Sequence, residues 1–240
     1  MITIEYNPLH SKPNNLSSLQ QQIYNALEKS TTRYVYPTIK ELKFELKLRE
    51  KIIHAAKRMF ESDAVFSSFQ DSSFNSTYWR KTSNGYLLKP NQLPSTAIED
   101  VFINSNKYGF ECVTSIVLIY YKAVLDSIHK NYFNELFRPL LVWNHHFDKD
   151  LGMVTFSGYD SIPGDVVYFY NPDYETPIWM GENAVYLGEG QYFGHGIGIG
   201  TKEEMIEALN TLRKKEAKKS AYLLQQVTRL NFHYLSQFEK

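Results

Sequence analysis

Residues 107–124, Lys-Tyr-Gly-Phe-Glu-Cys-Val-Thr-Ser-Ile-Val-Leu-Ile-Tyr-Tyr-Lys-Ala-Val, contain the single cysteine of the chain, Cys112, and form its most apolar segment. Apolar side chains between Val113 and Val124 cover nearly the whole circumference of a helix, and a helix that is apolar all round is a buried one. The run is shorter than the roughly 20 apolar residues that a membrane span needs. The segment therefore predicts a buried central helix.

The position of Cys112 within that helix bears on its chemistry. Gly109 breaks the chain just before the helix, which places Cys112 in the first turn. Free N–H groups and the positive end of the helix dipole stabilise a thiolate at this position. A lone cysteine is nevertheless more often a small buried hydrophobe than a nucleophile, so the segment alone leaves both interpretations open.

Composition narrows the class of protein. A chain of 240 residues can bury a full core in one domain. Lys and Arg number 26 and Asp and Glu number 26, so no net field favours nucleic acid or an anionic membrane. One cysteine excludes an internal disulfide and a multi-cysteine zinc site. The N-terminus lacks the basic, apolar and small-residue succession of a secretory signal, so we expect synthesis and folding in a reducing cytoplasm.

No metal site is predicted. His145 and His146 adjoin Asp148 and Asp150, but adjacent histidines on a strand point in opposite directions. A polar turn is therefore the preferred interpretation of this segment.

The first part of the chain, residues 14–130, has a helical pattern. Residues 1–13 look extended and polar, and Asn14 or Asn15 is placed to cap a first helix. Thr38 begins a second, longer helix with an apolar face and a charged, solvated face.

Residues 62–96 lose this periodicity and mix polar residues with aromatic ones, among them Phe69. A stretch of this length without regular structure is usually functional or flexible. It either folds its aromatic side chains over a pocket or packs as an ordinary long loop. Ser95 then caps a short helix that leads to the Cys112 segment.

The middle part, residues 139–200, is rich in predicted strands. Leu140 to Trp143 form the first. Pro163-Gly164-Asp165 is a turn followed by Val166 to Tyr170, which have strong strand propensity.

The last strands of this part carry the candidate catalytic residues. Gly181-Glu182-Asn183 forms a turn at a strand entrance, and Glu189-Gly190 is a hairpin signal. His195 lies on the returning predicted strand, opposite a face that bears only glycines. A strand bare on one face lets another backbone or a helix come very close.

Residues 201–238 predict C-terminal helices. Thr201-Lys202-Glu203-Glu204 is a capping box. The Lys and Arg residues from Arg213 to Lys219 predict a solvated helical face, and Tyr222 to Phe238 predict an amphipathic helix.

Cys112 and His195 together indicate thiol chemistry. A cysteine in the first turn of a buried helix, with a histidine on a separate element, is how thiol-protease-like sites are assembled. The pair alone is a weak signal.

Several longer motifs strengthen it: Tyr-Gly-Phe-Glu-Cys-Val-Thr-Ser-Ile-Val (108–117), Val-Leu-Asp-Ser-Ile (124–128), Pro-Gly-Asp-Val-Val-Tyr-Phe (163–169), Trp-Met-Gly-Glu-Asn (179–183), Tyr-Leu-Gly (186–188), Tyr-Phe-Gly-His-Gly-Ile-Gly-Ile (192–199) and Lys-Glu-Glu-Met-Ile-Glu-Ala-Leu-Asn (202–210). With them the chain resembles the spore-coat transglutaminases of endospore-forming bacteria, which are protein-glutamine gamma-glutamyltransferases. Part of the pattern also resembles the wider NlpC/P60 class of papain-like hydrolases.

The resemblance implies an α+β fold. The expectation is a single papain-like domain over residues 1–240, with a buried central helix packed on a small antiparallel sheet and additional flanking helices. It implies no calcium requirement and no prosthetic group. The implied partners are glutamine- and lysine-bearing spore coat proteins, not nucleic acid or a membrane. We expect a monomer, made in the mother-cell cytoplasm and deposited at the spore coat.

The same resemblance implies that Cys112 is the nucleophile and that Glu182 and His195 can each serve as its base partner. Which of the two dominates stays open. The sequence has no clear Asn or Asp after His195 to orient the imidazole, although Asn183 and Asn210 are candidates.

The chemistry sets further expectations. Thiolate attack on a glutamine carboxamide expels ammonia and leaves a thioester, which a neutral lysine amine resolves. Placement at the helix terminus and a nearby His195 should raise the thiolate share of Cys112. Since water competes with the amine, the approach to Cys112 must be narrow and apolar. The candidate walls are Trp179, Tyr192 and Phe69, whereas Glu111 is interpreted as a helix N-terminal acid that points away from the sulfur.

Two alternatives accompany the transglutaminase hypothesis: a cysteine peptidase or amidase of NlpC/P60 type, and a non-catalytic coat component that keeps the fold. Glu182, a carboxylate additional to Cys112 and His195, favours the transglutaminase. Incorporation of a primary amine into a glutamine-bearing protein, against release of free glutamate or new N-termini, separates the three.

Overall fold

The computed structural model describes residues 1–5, 12–144, 146–158 and 160–240. Part of the N-terminal segment expected to be extended, and His145 of the expected polar turn, lie outside these residues. The described residues form α-helices at Ser18–Lys29 (α1), Ile39–Phe60 (α2), Pro94–Ile103 (α3), Cys112–Ser127 (α4), Lys130–Leu136 (α5), Lys202–Thr211 (α6) and Phe232–Ser236 (α7). The strands are Ile2–Ile4 (β1), Tyr34–Tyr36 (β2), Val65–Phe66 (β3), Trp79–Thr82 (β4), Gly85–Leu88 (β5), Gly109–Phe110 (β6), Leu141–Val142 (β7), Met153–Ser157 (β8), Val166–Tyr170 (β9), Gly181–Gly188 (β10), Gln191–Gly194 (β11), Gly198–Thr201 (β12) and Tyr222–Leu230 (β13).

Six strands form the main sheet, in the order β12-β11-β10-β9-β13-β8. Every neighbouring pair in it is antiparallel. Smaller pairings surround it: β1 with β2, β3 with β6, and β4 with β5 and β7.

Helix α4 occupies the core. Nearly all of its residues are buried, as the apolar pattern predicts. It packs against α2 and against β10 of the main sheet. The expected α+β class, with a buried central helix on an antiparallel sheet, is confirmed. None of the described helices combines the length and the apolar character that a membrane span requires.

Local signals place several elements as predicted. Thr38 caps α2, and Thr201 and Glu204 form the reciprocal capping box of α6. Glu189 and Gly190 adopt positive φ angles of 53° and 74° in the hairpin between β10 and β11, which is the requirement of a tight two-residue turn.

A buried charge network holds the turn that precedes β9. The side chain of Arg49 is fully buried and pairs with Asp165 at 2.7 Å and with Glu45 at 2.8 Å. Arg229 of β13 reaches the second carboxylate oxygen of Asp165 at 2.7 Å. Gly164 has φ +91° and packs directly on Arg49. The network therefore ties α2 and β13 to the start of β9.

The predicted C-terminal helices are wrong beyond Thr211. Residues 222–230 form β13, which inserts between β9 and β8, and only Phe232–Ser236 are helical. The Lys- and Arg-containing segment 213–219 is not helical either. Pairing with two neighbouring strands overrides the helical pattern, because strand preference depends on tertiary partners.

Three other features differ from the prediction. The first helix is capped by Ser17 rather than by Asn14 or Asn15. Helix α3 begins at Pro94, before Ser95, without a side-chain cap. The stretch 62–96 is only partly irregular, since it contains β3 and the β4–β5 hairpin.

Candidate active site

Cys112 is the first residue of α4, as predicted. The chain reaches it through β6, which pairs with β3. A Cβ atom at Gly109 would lie 3.0 Å from side-chain atoms of both Val65 and Ser67, so only glycine fits this approach without adjustment. Glu111 is the N-cap, and its carboxylate accepts the backbone N–H of Thr114 at 2.9 Å. Its predicted role as a helix N-terminal acid is confirmed.

The sulfur of Cys112 faces β10. The carboxamide Nδ2 of Asn183 donates to Sγ at 3.6 Å, and the backbone N–H of Asn183 also acts to lower the pKa of the thiol. The carbonyl oxygen of Gly181 lies 4.0 Å from Sγ. Asn183, which the sequence suggested as an orienter of His195, therefore serves the sulfur instead.

Cys112 is a thiol in this state of the site. Burial raises its pKa well above the ordinary value, and the charges of Glu182 and Glu111 raise it further, while the two N–H groups of Asn183 oppose the rise. The expectation that helix-terminus placement and His195 raise the thiolate share is therefore wrong. Desolvation outweighs the helix dipole because the sulfur has little access to water.

Glu182 lies within strand β10, not on a turn, and is fully buried. A Cβ atom at Gly194 would lie 2.5 Å from Cγ of Glu182, and one at Gly196 would lie 3.0 Å from Oε2. The predicted bare glycine face is therefore occupied by a side chain rather than by a backbone or a helix.

The carboxyl group of Glu182 is mostly protonated at neutral pH. Its Oε1 accepts the N–H of Gly196 at 3.2 Å, and its buried Oε2 has no hydrogen-bond partner in the described part of the chain. Burial raises its pKa to about 8, against the lowering effect of the backbone N–H groups of Gly196 and His195, and the charge of Glu111 adds to the rise. A carboxyl group with this pKa can both release and accept a proton near neutral pH.

His195 occupies a different position from the one predicted. It lies in the turn between β11 and β12 instead of on a strand. Its ring stacks on Phe110, with centroids 4.8 Å apart, and meets Phe66 edge-on. Burial lowers its pKa to about 4, so the ring is neutral. Its buried Nε2 has no hydrogen-bond partner among the described residues.

A cavity of about 490 Å³ opens at the sulfur. Its floor is one face of the main sheet, to which alternate residues of four strands contribute. Its lining consists of Glu111, Cys112, Val113, Asn144, Phe147, Met153, Thr155, Val166, Tyr168, Pro177, Ile178, Met180, Gly181, Asn183, Gln226 and Thr228.

The predicted walls Trp179, Tyr192 and Phe69 are not part of that lining. Trp179 stacks on Phe66 at 4.6 Å, beside Gly196 and Glu182. Tyr192 packs edge-on against a core phenylalanine, and Phe69 packs against a tryptophan outside the cavity.

Sequence neighbours of Trp179 supply the wall instead, namely Ile178 and Met180. Gln226 and Thr228 are not predicted as lining residues, because the sequence pattern predicts a helix where β13 lies. The strand alternation that places them on one face is visible in the sequence only once the strand is known. Among the described residues no three His, Cys, Asp or Glu side chains are grouped so that they could hold a metal ion.

These features define a class of protein: a papain-like fold in which a cysteine begins a buried helix and a strand of the sheet supplies an N–H donor to its sulfur. A model of the family described as protein-glutamine gamma-glutamyltransferase matches residues 1–239. The chain belongs to this family, and the family resemblance inferred from the motifs is confirmed.

Relatives agree with that assignment. A protein-glutamine gamma-glutamyltransferase of Bacillus cereus (strain B4264) is 41% identical over 240 residues, which are 99% of this chain and 84% of the relative. One of Bacillus anthracis is 42% identical over 238 residues, 98% of this chain and 84% of the relative. The solved structure of a transglutaminase from Geobacillus stearothermophilus, without its C-terminal extension, has a TM-score of 0.82 and 49% identity, covering 85% of this chain and 99% of that one.

Proposed function

We propose that Cys112 attacks a glutamine carboxamide of a protein substrate and that a lysine amine resolves the thioester, giving an ε-(γ-glutamyl)lysine cross-link. The observation that carries the proposal is the sulfur in the lining of the cavity, which accepts a hydrogen bond from Asn183 and whose thiol pKa is raised by the charge of Glu182. Family membership gives the reaction class, and this geometry supports the assignment of roles.

In acylation, the ionised form of Glu182 accepts the thiol proton as sulfur attacks. With a pKa of about 8, roughly one molecule in ten has this carboxylate at pH 7. The S–C bond forms, the C–N bond breaks, and Glu182 returns the proton to the leaving nitrogen, which departs as ammonia. The N–H groups of Asn183 stabilise the sulfur while it carries negative charge. Because Glu111 holds the N–H groups of Val113 and Thr114, the backbone N–H of Cys112 at the start of α4 is the candidate donor to the oxyanion.

In the second step, the amine nitrogen attacks the thioester carbonyl, and the C–S bond breaks. Since a lysine amine has a free pKa near 10.4, only about one in 2,500 is neutral at pH 7. Glu182 accepts the proton that the attacking amine loses and passes it to the departing sulfur. The effect of its charge on the pKa of the Cys112 thiol supports Glu182 as this acceptor.

Apolar lining favours aminolysis over hydrolysis. Phe147, Met153, Ile178 and Met180 line the cavity that leads to the sulfur. Exclusion of water lengthens the lifetime of the thioester until an amine arrives.

We propose glutamine- and lysine-bearing spore coat proteins as the substrates, with synthesis in the mother cell and deposition at the coat. The support is the motif resemblance together with the Bacillus and Geobacillus origin of relatives. The balanced charge of 26 basic and 26 acidic residues supports protein partners over nucleic acid or membrane, and a monomer is the proposed state.

The proposal is tested by incubating the protein with a glutamine-bearing protein and a fluorescent primary amine. Amine incorporation with ammonia release supports it. Free glutamate or new N-termini without incorporation indicate the amidase or peptidase alternative, and no product of either kind indicates a non-catalytic component.

A further inference from the structure

The cavity at Cys112 is a groove that crosses the main sheet. Its floor is formed by Asn183 of β10, Tyr168 of β9, Thr228 of β13 and Thr155 of β8. These residues share one face, because Asn183 pairs with Tyr168, Val166 two residues before Tyr168 pairs with Thr228, and Thr228 pairs with Thr155. Cys112 lies over the β10 end of this floor. The opposite end is the outer strand of the sheet.

The dimensions of the groove suit a peptide. Three interstrand spacings of about 4.8 Å separate β10 from β8, so the floor is roughly 14 Å long. An extended chain advances about 3.3 Å per residue, and the floor therefore accommodates about four residues. The far end opens to solvent, since Thr155 is exposed and β8 pairs with β13 alone in the described part of the chain.

The polar groups on the floor match what such a peptide needs. A chain that crosses strands at a steep angle cannot join their hydrogen-bond ladder, so its N–H and C=O groups require side-chain partners or water. Tyr168, Gln226 and the Thr155–Thr228 pair, whose hydroxyl oxygens are 2.7 Å apart, offer donors and acceptors along the path. Burial raises the pKa of Tyr168 to about 12, so its hydroxyl stays protonated and able to donate.

We infer that this groove binds the segment of the glutamine donor that flanks the reactive glutamine, in an extended conformation running from Cys112 towards β8, with Gln226, Thr228 and Thr155 holding its backbone. The inference rests on the proposed function. The occupant is the donor rather than a second copy of the chain, because the groove is continuous with the sulfur that the glutamine must reach. Glu111 is the one charged residue among its described lining residues, so the segment next to the glutamine is expected to be uncharged or basic.

The strand β13 offers a matched control. Gln226 lines the groove, whereas its neighbour Gln225 is exposed and is not among the lining residues of the groove. Gln226→Leu and Gln225→Leu thus make the same chemical change at two neighbouring positions of one strand, one inside the groove and one outside it.

The test compares kcat/KM for amine incorporation between an N-blocked glutaminyl-glycine and peptides extended by one to six alanine or serine residues on either side of glutamine. In the parent we expect extension on one side to raise kcat/KM over about four residues and then to level off. Gln226→Leu and the double variant Thr155→Val/Thr228→Val should lower the ratio of kcat/KM for the extended over the minimal substrate by about tenfold, the effect of one or two lost hydrogen bonds. Gln225→Leu should keep the parental ratio.

A parent that accepts minimal and extended donors equally well, or equal ratios in Gln226→Leu and Gln225→Leu, would overturn the inference while leaving the proposed function intact. A parent that incorporates amine into no glutamine substrate at all overturns the proposed function, and the groove assignment with it. If the parent protein dimerises in the absence of peptide and Thr155→Val/Thr228→Val does not, the groove binds a second copy of the chain instead of the donor peptide.

Discussion

Asn183 donates its carboxamide N–H to Sγ of Cys112 at 3.6 Å. Its neighbour on β10 is Glu182, whose side chain leaves the strand on the opposite face and lies over Gly194 and Gly196. Of these two consecutive residues of one strand, Asn183 thus supplies a hydrogen-bond donor to the sulfur, whereas the charge of Glu182 acts on it from the other face and raises the pKa of the thiol. His195, in contrast, is held against Phe110.

Removing the Asn183 carboxamide should raise the pKa of the Cys112 thiol further, because a donor that opposes the rise is lost. Hydrogen bonds to charged groups contribute about 1.5–3 kcal/mol, so Asn183→Ala should slow alkylation and acylation by roughly 10- to 100-fold. Since Cys112 is the single thiol, the pH profile of iodoacetamide alkylation measures this directly. Asn183→Asp, which adds a negative charge of the same shape, should slow it more. Equal profiles for parent and Asn183→Ala would contradict the assignment.

The pH dependence of acylation should report Glu182. With its pKa near 8, the rate of ammonia release in the first turnover should rise with pH up to about 8 and then level off. Glu182→Gln should lose this rise together with most of the rate, since general base assistance is worth about 10²- to 10⁴-fold. His195→Asn should keep the rise, because the ring is neutral over this range. Loss of the rise in His195→Asn with retention in Glu182→Gln would reverse the two roles.

The two partners can still be partly redundant, as the resemblance implies. We expect Glu182→Gln and His195→Asn each to retain measurable amine incorporation and the double variant to fall to the level of Cys112→Ala. If His195→Asn alone is as inactive as Cys112→Ala, with unchanged thermal unfolding, the site is an ordinary Cys/His pair.

Stability should also depend on the Glu182 proton. The folded pKa is raised from 4.5 to about 8, so the contribution of this group is fully present below pH 4.5 and is lost as pH rises through 8. The glutamine in Glu182→Gln does not titrate, so the variant does not lose this stabilising contribution as the pH rises. The free energy of unfolding of the variant relative to the parent should therefore increase by roughly 3 to 5 kcal/mol between pH 4.5 and pH 9. Urea unfolding at several pH values measures this, and a pH-independent difference would show that the carboxyl group is not buried as described.

Gly194 leaves room for Glu182. Gly194→Ala places a methyl group 2.5 Å from Cγ of Glu182 and must displace the carboxyl group. We expect a loss of acylation of at least tenfold, and no comparable further loss when Gly194→Ala is added to Glu182→Ala, where the space is free. Additive losses in this double-mutant cycle would place the effect of Gly194 elsewhere.

The parts of the fold that the sequence predicts are those set by local signals. The all-round apolar pattern predicts α4, the capping box at Thr201 predicts α6, and Glu189-Gly190 predicts the hairpin. Strand β13 forms because it pairs with β9 and β8, which are distant from it in sequence. Its own residues have a helix-compatible pattern that does not indicate this pairing. The errors at Trp179 and His195 have the same origin: which side chain faces the cavity depends on how a turn is placed in space.

Cys112→Ala gives the most direct test of the central claim. The parent, incubated with a glutamine peptide in the absence of amine, should gain the mass of the peptide less that of ammonia, and proteolysis should place the adduct on Cys112. Cys112→Ala, folded to the same melting temperature, should form no adduct and incorporate no fluorescent amine. Near-parental amine incorporation by Cys112→Ala would contradict the account.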